Sequence, residues 1–66
     1  MKEQIIKDTI EKLKQKYAFD SDVLENIDKA EKDIAYILTK ERDPEYKGQS
    51  ALGYLRMFED NLEYWS

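Results

Sequence analysis

Phe19-Asp20-Ser21-Asp22-Val23-Leu24 and, further on, Thr39-Lys40-Glu41-Arg42-Asp43-Pro44 bracket the stretch on which the fold turns. Asp20 is a good helix N-cap, because its carboxylate accepts hydrogen bonds from backbone N–H groups that a first turn leaves unpaired. Ser21 and Asp22 fill that turn, where negative charge meets the positive end of the helix dipole. Phe19 before the cap and Leu24 at the fourth helical position have the spacing of a hydrophobic staple. Val23, Leu24, Ile27, Ala30, Ile34, Ile37 and Leu38 then recur at three- and four-residue intervals, which is one face of an α-helix. Pro44 stops the run, since it has no N–H to donate and turns its predecessor away from helical geometry. The spacing predicts a helix over 21–41, with Glu25–Lys29 and Asp28–Lys32 placed to pair along its outer face.

Working towards the N-terminus, Ile6, Ile10, Leu13 and Tyr17 repeat at the same period, Ile5 widens their stripe, and Asp8–Lys12 is a favourable pair on its flank. A helix over about 2–17 is expected. In the other direction, Asp43-Pro44-Glu45-Tyr46-Lys47-Gly48 carries its own cap, proline and glycine punctuation, which suits one short helical turn or an ordered loop. A third helix is expected over about 50–65, with Ala51, Leu55, Phe58, Leu62 and Trp65 on one face. The chain then reads as all-α: one domain over 1–66, a small three-helix bundle with residues 42–49 as its punctuated connection. Its expected core includes Ile6, Ile10, Leu13, Val23, Ile27, Ile34, Ile37, Leu55, Phe58 and Leu62, with Trp65 closing one end.

Sixty-six residues make a thin core. A domain this small buries only about 60% of the surface its unfolded chain exposes, and most such chains lean on a disulfide, a metal or a partner. With no Cys and no His, disulfides, zinc sites, Cys–His nucleophiles and imidazole bases are all excluded. Regular helix packing, self-association or a bound partner remains. The lack of cysteine fits a reducing cytoplasm. The first residues alternate charge with isoleucine rather than forming a secretory signal, and no apolar run is long enough to span a membrane. Net charge is −4 and uneven: residues 1–16 hold five lysines against three acids, and the remainder holds twelve acids against six bases. No bare tract of like charge suggests a disordered tail or a nucleic-acid arm.

The third helix carries more apolar surface than one core contact requires. Tyr54, Met57 and Tyr64 form a strip beside its core seam, interleaved with Ser50 and Asn61, while Arg56, Glu59, Asp60 and Glu63 hold the polar side. A core-facing helix needs a stripe of only about 100°. Tyr and Met are enriched at interfaces, and five Tyr outnumber two Phe here. The bland reading of the strip is amphipathic edging around a small core. The functional reading is a contact surface of Tyr54, Met57 and Tyr64, joined by Arg56 and by Tyr46 from the preceding turn. Tyr36, ringed by Lys29, Lys32, Asp33 and Lys40 on the outer face of the second helix, is a separate candidate. Asp20, Asp22 and Glu25 superficially echo a calcium loop but lack its glycine turn and remaining ligands; helix capping accounts for them. Glu59 and Glu63 form a carboxylate pair, but on a solvated strip. No phosphate cradle or nucleophile–base set is present, so neither catalysis, a cofactor nor a metal is expected.

These features fit a non-enzymatic interaction module, an adaptor, inhibitor or regulator that binds a protein partner or a second copy of itself. A second reading is an acidic inhibitor that mimics nucleic acid, although eleven bases interspersed among fifteen acids break the continuous negative potential a mimic needs. Direct nucleic-acid binding is disfavoured, because the chain as a whole repels phosphate. From Phe19 to Asn61, the order of capped acidic start, long amphipathic helix, proline break and aromatic-rich last helix resembles phage head–tail connector adaptors. Asp20-Ser21-Asp22-Val23-Leu24 and Phe58-Glu59-Asp60-Asn61 carry that likeness, which implies a structural part of a phage particle. Those adaptors are longer, and their last helix is more continuously apolar.

Overall fold

A computed structural model describes the backbone of residues 2–65 and the side chains of residues 2–64. It contains three α-helices: α1 (Lys2–Lys16), α2 (Ser21–Glu41) and α3 (Ala51–Trp65). They form a small all-α three-helix bundle, as the periodicity predicts. α2 has the expected bounds and the expected start. Asp20 is extended, at φ −114° and ψ 94°, and its carboxylate accepts from Val23 N–H at 3.2 Å. α1 ends one residue early, because Tyr17–Phe19 form a turn in which Asp20 N–H reaches Tyr17 O. α3 starts one residue late, since Ser50 is its cap: the hydroxyl accepts from Gly53 N–H at 3.0 Å, and the Ser50 carbonyl accepts from Tyr54 N–H.

The connection resolves as an ordered loop rather than a helical turn. Asp43 accepts twice, through its carboxylate from Glu45 N–H at 2.9 Å and through its carbonyl from Tyr46 N–H at 3.0 Å. Aspartate before proline suits that turn, because proline presets the φ of the second position.

Side-chain pairs fix how the helices run. Lys2 meets Glu41 at 2.9 Å, and Lys14 meets Glu31 at 2.7 Å, so α1 and α2 are antiparallel. Ala51 N–H reaches Glu41 Oε1 at 3.2 Å and Tyr54 reaches Asp33, so α3 also runs antiparallel to α2 and therefore parallel to α1. The most extensive packing is α2 on α3, and the least is α1 on α3. The radius of gyration is 12.3 Å and the body measures 40 × 21 × 15 Å. A compact chain of this length would have a radius nearer about 11 Å; the molecule is a thin rod with much of its chain near the surface.

The core consists of Ile6, Ile10 and Leu13 from α1, Ile27, Ala30 and Ile34 from α2, and Ala51, Leu55 and Leu62 from α3. Val23, Ile37 and Phe58, expected inside, pack against this cluster and stay partly exposed. Ala30 and Ala51 are buried in their place. Ile5 stands 55% exposed and does not widen the buried stripe. Trp65 was expected in the core, and its side chain lies outside the described residues.

Two local expectations are corrected. The staple does not form: Phe19 is fully exposed while Leu24 is half-buried. The charges on α2 also pair across helices rather than along one. Asp28 lies 4.0 Å from Lys14 of α1 instead of meeting Lys32, and no ion pair joins Glu25 to Lys29. On α1, Asp8 accepts from Gln4 rather than pairing with Lys12. A neighbouring helix offers an opposite charge without winding a long side chain back along its own axis, and the spacing of a single helix cannot show that.

Candidate functional site

With about 3.6 residues per turn, Met57 and Tyr64 fall on the side of α3 turned away from Leu55 and Leu62. Met57 is 47% exposed and Tyr64 87% exposed. Tyr54 belongs to the same strip by spacing but has a different environment. It is half-buried, packs against the core, and its hydroxyl donates to Asp33 Oδ2 at 2.7 Å. The carboxylate prefers the protonated phenol as its donor, and partial burial acts in the same direction, so the Tyr54 hydroxyl titrates above its ordinary value. Tyr54 therefore pins α3 to α2 and forms the inner edge of the strip. Arg56 is exposed on the next face round.

Tyr46 is also committed internally. Its hydroxyl donates to the Gln49 carbonyl at 2.7 Å, and its ring lies over Gly48, where an added Cβ would come within 2.6 Å of Cζ. That contact explains the glycine, whose φ is not in the left-handed region. Tyr36 stands 63% exposed on the outer face of α2, with Lys40 Nζ 5.3 Å from its ring centroid. A cation over a ring is a favourable contact, and here it partly covers a side chain that has no other ring partner. The structure thus sets Tyr54, Met57 and Tyr64 along α3, Met57 about one turn from Tyr54 and Tyr64 about two turns further, while Tyr46 serves the loop and Tyr36 lies on another helix.

The α3 strip borders a feature that sequence spacing does not reveal. An open groove of about 320 Å³ runs between α2 and α3, floored by Ala30, Phe58 and Leu62 and rimmed by Asn26, Lys29 and Asn61. The only sequence signal was the pair of asparagines on otherwise apolar or charged faces. Lys29 takes part in no ion pair among the described residues.

At the other end of the bundle, the Glu41 carboxylate joins all three helices. It accepts from Lys2 Nζ at the start of α1 and from Ala51 N–H at the start of α3, while itself ending α2. The Lys2 hydrogen bond is the main reason that it titrates below the usual carboxylate range; burial opposes it, and the Ala51 N–H and the lysine charge add to the lowering. This arrangement is structural. Among the described residues, no cluster of three acidic side chains is placed to hold a metal ion, and no helix is long and apolar enough to cross a membrane. No family model matches the chain, and no curated protein or solved structure matches it either.

Proposed function

We propose that this chain is a non-enzymatic, cytoplasmic protein-interaction module whose contact surface is the outer strip of α3, with Met57 and Tyr64 as anchors. One observation carries the reading: two large apolar side chains stand exposed about two turns apart, on the side of α3 that makes no core contact. Interface energy concentrates in a few such anchors, and Tyr offers a broad apolar ring with a polar tip that tolerates water while unbound. Tyr54 supports the strip from below rather than anchoring a partner, and Arg56 supplies a charge at its margin.

The test is the pair of substitutions Met57→Glu and Tyr64→Lys, made in one chain. Helical content by circular dichroism should be unchanged, because both side chains are exposed. Binding, read as self-association in solution or as capture of a partner on the immobilised chain, should be lost. Retention of both fold and binding would remove the outer strip of α3 as the contact surface and move the search to Tyr36 on α2 and to Phe19 in the α1–α2 turn. Binding through an apolar strip should also depend only weakly on ionic strength, whereas an acidic mimic of nucleic acid would show a steep salt dependence.

A further inference from the structure

Phe19 is the most exposed large apolar side chain among the described residues, at 104% of its reference surface. Nothing in its own fold uses it. Asp20 caps α2 without it, Leu24 packs without it, and the turn that carries it is closed by backbone alone. The α2–α3 groove has the complementary properties. Its floor is apolar, and its volume of about 320 Å³ lies at the small end of ligand-holding clefts, which run about 300–1,000 Å³. That size suits one aromatic side chain better than a cofactor.

We propose that two copies of this chain pair by exchanging Phe19, each ring seating in the α2–α3 groove of the other. Charge favours this occupant: Phe19 is followed by Asp20 and Asp22, and the groove rim carries Lys29, which has no ion pair among the described residues, with the amides of Asn26 and Asn61. Position favours a closed pair. The rim residues Asn26 and Lys29 follow Phe19 by about two to three helical turns, about 10–15 Å along α2. A two-fold axis between ring and groove makes the contact self-complementary and leaves no open end. A buried aromatic covers about 150–250 Å². With the groove walls it occupies, that is roughly half of the about 800 Å² per partner in a standard stable interface, so the pair is a weak dimer whose population rises with concentration. The proposal goes beyond the reading of the Met57–Tyr64 strip, because the bank of the groove on α3, with Phe58, Asn61 and Leu62, lies beside that strip and not on it.

The experiment is sedimentation of the full chain across micromolar to millimolar concentration, for wild type, Phe19→Ser, Lys29→Glu, and an equimolar mixture of the two variants. Wild type should shift from monomer to dimer as concentration rises. Phe19→Ser should remain monomeric with unchanged circular dichroism, since its side chain supports nothing in the monomer. Lys29→Glu should dimerise at least about tenfold more weakly, a factor that RT ln K converts to about 1.4 kcal/mol. The mixture should form a heterodimer that Phe19→Ser alone cannot form, weaker than the wild-type pair, because it keeps one intact ring in one intact groove and lacks the second. A wild type that stays monomeric throughout overturns the proposal, as does a ladder of larger oligomers, which would mean open head-to-tail contact. A dimer that survives Phe19→Ser but is lost on Met57→Glu with Tyr64→Lys overturns the exchange alone and leaves the α3 strip as the contact surface.

Discussion

Two tyrosines of the same strip should behave very differently when removed. Full removal of a buried large aromatic costs about 3–5 kcal/mol. Tyr54 is half-buried against the core, so losing its ring in Tyr54→Ser should cost about 2 kcal/mol. The hydroxyl bond to Asp33 adds less than about 1 kcal/mol, because a hydrogen bond to a charged group at a solvated edge keeps only part of its buried worth. The sum is about 2–3 kcal/mol. In a domain of this size each kcal/mol moves the melting temperature by about 4–8 °C, so Tyr54→Ser should lower it by roughly 10–20 °C. Tyr64→Ser, at 87% exposure, should stay within about 0.5 kcal/mol of wild type. Urea unfolding followed at the helical circular-dichroism band, at a concentration low enough to keep every variant monomeric, compares them directly. Tyr54→Phe in a double-mutant cycle with Asp33→Asn isolates the hydroxyl's share. The pH dependence has a definite sign. The folded state holds the Tyr54 proton more tightly than the unfolded chain, so this stability is fully present below the ordinary tyrosine value near 10 and is lost as pH rises past it. The reasoning fails if Tyr54→Ser and Tyr64→Ser cost the same within about 0.5 kcal/mol.

Three other outcomes follow from the same packing. Leu55→Ala should cost on the order of 2–5 kcal/mol, because Leu55 is 3% exposed at the centre of α3; a chemical denaturation difference below about 0.5 kcal/mol would mean that α3 is not docked there. Glu41→Gln should flatten the acid limb of the stability curve. The folded-state carboxylate titrates below its ordinary value, so its contribution is present above that value and is lost as pH falls through the lowered one; an unchanged acid limb would show that the Lys2–Glu41–Ala51 contact does not form in solution. Gly48→Ala should displace the Tyr46 ring and break its bond to the Gln49 carbonyl, a loss of about 0.5–1.5 kcal/mol that Tyr46→Phe should reproduce without adding to it.

The helices were legible because their signals are local. Asp20 and Pro44 bracket α2 through backbone chemistry that needs no tertiary context, and the apolar period within each segment marks its buried face. What the sequence hid depends on distance between helices. The period places Ala30 and Ala51 on the apolar faces of their helices, but only the packing of α2 on α3 shows that they are buried while Val23, Ile37 and Phe58 stay partly exposed. Lys14 and Asp28 look equally suited to partners on their own helices, and the antiparallel neighbour decides otherwise. Phe19 shows the opposite failure, since a valid staple spacing concealed a side chain that packs against nothing. Among the candidate residues, Met57 and Tyr64 stand exposed on one strip. Tyr54 and Tyr46 have hydroxyl partners, Asp33 and the Gln49 carbonyl, that no spacing rule would have assigned.

α1 is tied to α2 by ion pairs near both of its ends and by three buried side chains between them, while α2 and α3 share the broader contact. Its attachment is therefore the part most open to the ionic atmosphere, because partly exposed charges are screened where buried methyl groups are not. Amide hydrogen exchange should resolve this as two tiers. The α1 amides should exchange through a partial opening that detaches the helix as a unit, and added salt should hasten it. The amides of Ile27, Ile34 and Leu55 should wait for opening of the whole chain. A rod that sheds one of its three helices first has, for brief intervals, a second apolar surface along Ile27 and Ile34, and the charges at Lys2 and Lys14 set how often that surface is uncovered.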